Sequence, residues 1–211
     1  MSDSAEATTI NTQSAVEQVI ASIERERERE IISRRFGLSD RKETLEQIGD
    51  LLGITRERVR QLEKAILIRL KLAAEKDADN VIAIEKHFIR HLHEMGGAAR
   101  VSDLTGRIHT APTERDHAHI AFIAELAPGL TILSENDNYH HGVAIKERHD
   151  EKKLRSDVDT IVKTIKEHGQ PISIDELHGK LNHEHPDQVR ALASLSKNLS
   201  TLTDQWGPNQ W

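Results

Sequence analysis

The sequence predicts a mainly α chain made of several small units, and three observations carry that expectation. Residues 15–76 contain no proline and no glycine-rich loop, and their apolar residues recur at three- and four-residue spacing. The remainder runs twice through one order, at about 80–149 and 150–211: helix, short β-prone stretch, helix, helix, turn-rich close. Charged residues reach 30% and aromatics only 3%, a balance that suits small aliphatic cores with much surface. The expected architecture is a helix-turn-helix domain over 15–76 followed by two small winged-helix-like α+β modules.

Residues 1–14 are polar and aperiodic, so a disordered N-terminal segment is expected. A first helix follows. Val16, Val19, Ile20 and Ile23 give it an apolar stripe, suited to a core or a dimer seam. The alternating run Glu24-Arg25-Glu26-Arg27-Glu28-Arg29-Glu30 then reads as a solvated face or a partner-facing one.

The most informative stretch is Leu45 to Lys64. Thr44 can N-cap a helix, and Gln47 completes a capping box. Ile48 with Leu51 and Leu52 forms an inward stripe, and Gly49 is small where a second helix would approach. Gly53 permits a left-handed turn, Ile54 packs under it, and Thr55 caps the next helix. Val59, Leu62 and Ile66 form the second stripe. Two short helices about a glycine-containing turn make the unit that sets a recognition helix in the DNA major groove.

Charge favours that use over a plain helical hairpin. Arg56, Arg58, Arg60, Lys64, Arg69 and Lys71 stand against Glu57 and Glu63 in a chain of net charge −6. Arg56, Glu57, Arg60 and Gln61 lie near the N-terminal end of the second helix, the end that enters the groove. Arginine can fork onto guanine, glutamine onto adenine, and glutamate can accept from cytosine.

Ile31-Ile32-Ser33-Arg34-Arg35-Phe36-Gly37-Leu38, Thr44-Leu45-Glu46-Gln47-Ile48-Gly49 and Ile54-Thr55-Arg56-Glu57-Arg58-Val59-Arg60-Gln61-Leu62-Glu63 resemble region 4 of primary sigma-70 family sigma factors. The resemblance covers about residues 24–72. It implies a module that reads a promoter −35 element in double-stranded DNA and packs on the β flap of RNA polymerase. By that resemblance Arg56, Glu57, Arg60 and Gln61 read bases. Arg35, Thr44, Leu45, Glu46, Thr55, Arg58 and Lys64 fall where the phosphate backbone is approached. Only 23 residues precede this stretch and no aromatic precedes Phe36, so a complete sigma factor with its promoter-melting region 2 is not expected. The alternative is a polymerase-binding regulator that occupies the flap, or a delta-like accessory, without reading sequence.

In the first later module the helices are expected at Val81–Glu94, from Ser102, and at Glu114–Leu126, with a hairpin from Leu130 to Ile145. In the second they are expected at Leu154–His168, from Asp175, and from Gln188 to Leu199, and Trp206 to Trp211 reads as a wing cut short. Glu147 to Arg155 reads as a linker or a helix start. The modules resemble HARE-HTH winged helices and the folded domain of RNA polymerase delta subunits. Residues 81–211 hold 15 Lys/Arg and 19 Asp/Glu, which favours protein contact or packing over DNA.

Function classes fall away on composition. Cysteine is absent, removing disulfides, thiolate metal sites and cysteine nucleophiles. His87 and His91 share a helix face but lack a third metal ligand, so neither a metal nor another cofactor is expected. No Walker loop, GxGxxG or GxSxG occurs, and no enzyme is expected. With no signal peptide and no membrane-length apolar run, a soluble cytoplasmic protein is expected.

Overall fold

The computed structural model describes residues 11–76, 80–202 and 204–210. Its ten helices and two small antiparallel sheets, among the described residues, form a mainly α protein with winged-helix modules. The N-terminal unit comprises α1 (Thr12–Ala21), α2 (Glu26–Phe36), α3 (Leu45–Leu52) and α4 (Arg56–Glu75). The disorder expected for residues 1–14 lies outside the described residues up to Ile10. Thr12, Gln13 and Ser14 are helical instead, because Asn11 caps them by accepting from the Ser14 N–H.

The first helix, whose expected stripe reaches Ile23, ends at Ala21, and the chain breaks before α2 opens at Glu26. Ser22 turns its hydroxyl back onto the Val19 carbonyl. Arg29 then caps the broken end, donating to the carbonyls of Ile23 at 2.6 Å and Glu24 at 3.2 Å. The stripe of α1 is core: Val16 and Val19 are buried and the helix packs against the first winged module.

That module runs α5 (Val81–Glu94), β1 (Ala98–Arg100), α6 (Val101–Ile108), α7 (Glu114–Leu126), β2 (Leu130–Leu133) and β3 (Gly142–Ile145), with strand order β1-β3-β2. The second repeats the plan with α8 (Glu151–His168), β4 (Ile172–Ser173), α9 (Ile174–Lys180), α10 (Pro186–Ser194), β5 (Leu199–Leu202) and β6 (Gln205–Pro208), in order β4-β6-β5. The registers correspond: Leu133 pairs with Gly142 as Leu202 pairs with Gln205, and Ala99 with Val143 as Ile172 with Trp206. The charged stretch is the start of α8, capped by Asp150. The helix expected to reach Leu199 stops at Ser194, and Leu199 opens β5. The wing expected to be cut short is a paired hairpin, with Leu199 opposite Pro208.

The third helices of the two modules are packed to different degrees. Most of α7 is buried, enclosed between its own module and α1 with α4. One apolar core runs unbroken from Ala15 to Ile145 and includes Ile48, Ile66, Phe122 and Val143. A second core joins α8 and α10 to Ala98, Leu133 and Ala144 on the outer face of the first sheet. The expected separate domains are thus stacked side by side: α7 is covered from Ala118 to Leu126, while α10 buries Val189 and Ala191 to Ala193 and leaves Asp187 and Arg190 exposed.

Candidate nucleic-acid interface

The turn between α3 and α4 is built by three local devices. The Thr44 hydroxyl accepts from the Gln47 N–H while Gln47 Oε1 accepts from the Thr44 N–H at 2.8 Å, forming the capping box. Gly53 sits at φ +65°, the left-handed C-cap that favours glycine. At Gly49 an added Cβ would stand 2.7 Å from the Ile54 carbonyl oxygen, so the two helices close because no side chain intervenes. The Thr55 hydroxyl accepts from the Arg58 N–H and starts α4.

Val59 and Ile66 turn α4 onto the core. Its opposite face over the first two turns carries Arg56, Glu57, Arg60, Gln61 and Lys64, all exposed. These side chains are ordered by one another. Arg60 donates from Nε and Nη2 to the two oxygens of Glu57 at 2.8 and 2.6 Å, and Gln61 Nε2 adds a third bond at 3.2 Å. The Arg60 guanidinium, above all through these hydrogen bonds, draws the Glu57 carboxyl down to about 2. Arg56 reaches across the turn to Glu46 at 2.9 Å, and Arg58 donates to Gln61. The four expected base readers therefore share one water-facing surface.

The expected backbone group is less uniform. Thr44, Glu46, Thr55, Arg58 and Lys64 are exposed. Leu45 is not a side-chain contact, because its side chain lies in the core at 9% exposure. What it can offer is its N–H, which with that of Glu46 opens the first turn of α3, where anions are favoured. Arg35 is half-buried and paired within the fold, Nε to Glu63 Oε1 at 3.2 Å with a further bond from Nη1 to the Glu43 carbonyl. Leu51, expected inward, is 54% exposed, because the two-helix contact is made by Ile48 and Gly49 one turn earlier.

Sequence reasoning missed the ties that set α4 against α2. Glu28, in the run expected to be solvated, is buried and bound to Arg69 at 2.5 Å. With Arg35–Glu63 it ties the long helix to α2 at two points. The signal was present only as four complementary charges far apart in the chain. Of the histidines, His87 and His91 approach to 3.2 Å between Nε2 atoms, and among the described residues no group of three metal-ligating side chains forms.

Comparison with known proteins places this geometry. Residues 25–72 match the family model described as Sigma-70, region 4. Over 46 residues, 21% of the chain, it is 48% identical to RNA polymerase sigma factor sigB of Arabidopsis thaliana, covering 8% of that protein. Over 47 residues, 22% of the chain, it is 49% identical to RNA polymerase sigma factor SigA of a Bacillus species, covering 12% of it. It is 50% identical over 46 residues, 21% of the chain, to RNA polymerase sigma factor SigA1 of Synechococcus elongatus, again covering 12%. The chain thus spans only 8 to 12% of the length of these relatives. No helix among the described residues is long and apolar enough to cross a membrane. Within residues 25–72 the chain is similar to sigma-70 region 4, and the capped helices, glycine turn and exposed second helix of that stretch form a helix-turn-helix.

Proposed function

We propose that this protein is a non-enzymatic transcription factor that reads a −35-like element in duplex DNA through the first two turns of α4, in association with RNA polymerase. The observation that carries the reading is the surface of Arg56, Glu57, Arg60 and Gln61, exposed, cross-linked by its own hydrogen bonds and covered by no other element among the described residues. Ordered long side chains lose less freedom when they meet base edges. The first-turn N–H groups of α3, with Thr44 and Glu46 beside them, would lie along one phosphate backbone, and Lys64 and Arg58 supply sequence-independent attraction. The names of the relatives, RNA polymerase sigma factors, support the polymerase partner. The winged modules, the first with most of its third helix buried, act in this reading as a rigid arm rather than as further DNA readers.

One observation favours a polymerase-binding protein that does not read sequence. Leu51, Ile68 and Leu72 are 54%, 50% and 53% exposed on α3 and α4, and apolar side chains of that size are more useful against protein than phosphate. Selection from randomised duplexes, with and without core polymerase, separates the two. Enrichment of a −35-like motif, lost on substituting Arg60 or Gln61 by alanine, supports the first reading. Capture of polymerase without enrichment supports the second.

A further inference from the structure

Between the helix-turn-helix unit and the first winged module lies a groove of about 510 Å³ that base reading does not use. Arg41 and Lys42, from the loop ahead of α3, line it opposite Arg100, Ser102, His140 and His141. The ion pairs near this loop are Arg34–Glu43 and Arg56–Glu46. Arg41 and Lys42 take part in neither, and both are exposed. The Lys42 stem passes beside Gly37, where an added Cβ would stand 3.1 Å from its Cγ. Arg100 spends Nε on the Ser194 carbonyl at 2.5 Å, which fixes the plane of its guanidinium.

The repeat shows what is unusual here. Arg100 and Ser173 occupy the same register position, each at the end of its module's first strand and each the N-cap of the next helix. Ser173 caps its helix by accepting from the Glu176 N–H. Arg100 caps nothing with its side chain. The Val101 N–H is taken by the His141 carbonyl at 2.9 Å, so the first turn of α6, which also carries Asp103, meets the groove at Ser102 with a guanidinium in place of a hydroxyl. Three carboxylates also line the groove: Asp40, Glu114 and Glu135. Glu135 is taken by Lys197 at 2.7 Å, which leaves Arg41, Lys42 and Arg100 facing Asp40 and Glu114. His140 and His141, their basicity lowered first by burial, add neutral ring N–H donors.

We infer that this groove is a phosphate-binding site, with Lys42, Arg41 and Arg100 as its cations and the Ser102 hydroxyl and N–H as its hydrogen-bond donors. The phosphate has two sources. One is the backbone of the duplex flanking the element read by α4, a source that rests on the proposed function. Lys42 stands two residues ahead of the Thr44 cap, a reach of at most about 7 Å. The other is a free phosphate-bearing small molecule. Two measurements on the full chain decide, each made with the wild type and with Arg41→Gln/Lys42→Gln: calorimetric titration with inorganic pyrophosphate, and binding of a minimal selected duplex against the same duplex lengthened by about ten base pairs on each side, over a range of salt. Pyrophosphate binding that the double variant weakens about tenfold or more supports the free source. No pyrophosphate binding, but a lower affinity of the variant for the long duplex with the salt slope reduced by about two and motif preference intact, supports the backbone source. Absence of both effects, or pyrophosphate binding indifferent to the substitutions, overturns the site. Should the wild type select no motif, base reading fails while the pyrophosphate titration still decides the groove.

Discussion

Arg60 grips Glu57 one turn ahead of it with both arms of its guanidinium, at 2.8 and 2.6 Å, on a surface where both side chains are more than half exposed. An exposed pair adds little to folding stability. Its consequence is geometric: two groups of opposite hydrogen-bonding sense, one donating and one accepting, are held side by side at the tip of the helix. Glu57 also holds Gln61, so the three move as a set.

The pair predicts an acid titration far from neutrality. The folded value of Glu57 lies at about 2, below its ordinary 4.5, chiefly because Arg60 hydrogen-bonds the ionised form. Whatever the pair contributes is therefore fully present above 4.5 and is lost as the pH falls through about 2. A carbon-detected titration of the Glu57 carboxyl should find its midpoint near 2 in the free protein, returning toward 4.5 in Arg60→Ala. DNA affinity between about pH 5 and pH 8 should show no step assignable to Glu57. A midpoint near the ordinary value in the wild type would mean that the fork is not held in solution.

Lys64 and Arg60 should fail differently. Lys64 is exposed one turn beyond Arg60 and has no hydrogen-bond partner among the described residues. Lys64→Ala is expected to weaken all duplexes alike and lower the salt slope by about one. Arg60→Ala should cost roughly tenfold or more on the selected element and relax preference at one position. Competition binding against single-base variants checks both. Equal loss of selectivity in the two variants would place Lys64 among the base readers.

Two glycines flank the turn and should respond unequally to alanine. At Gly49 the new methyl meets the Ile54 carbonyl oxygen at 2.7 Å, so the helices must part, at a cost of about 1–3 kcal/mol. At Gly53 nothing lies within 4 Å, and only the left-handed backbone at φ +65° resists, about 1 kcal/mol. Denaturant unfolding of the two variants should rank Gly49→Ala as the more destabilised, and the reverse order would mean that backbone strain, not the close approach, governs this turn.

The sequence is legible where its signals close locally. Thr44 with Gln47, Thr55, and the span of α7 from Glu114 to Leu126 are settled within a few residues by caps and periodicity. The same holds for the winged order, since each strand and helix is bounded by its own turn. What escaped was settled at a distance. The break after Ala21 has no proline or glycine to announce it and depends on Arg29 turning back to two carbonyls. Arg35 has the exposure pattern of a phosphate ligand until Glu63, 28 residues on, claims it. The burial of α7 is a fact about α1 and α4 rather than about its own sequence. Only from Ala118 onward is its mixture of small and apolar residues that of a helix covered on nearly all sides.

That burial supplies the last prediction. Phe122 on α7 is fully buried and its ring lies 5.0 Å from that of Phe36 at the end of α2. Phe122 thus belongs equally to the winged module and to the helix-turn-helix unit. Phe122→Ala should cost about 3–5 kcal/mol, and the loss should be shared. Amide hydrogen exchange at Ile31 and Ile32 in α2 should accelerate together with that at Leu92 in α5, because both are sealed by the same core. Faster exchange in α5 with α2 unchanged would show that the two units unfold independently. DNA reading would then need no arm behind it, and the buried face of α7 would be packing without consequence for the recognition helix.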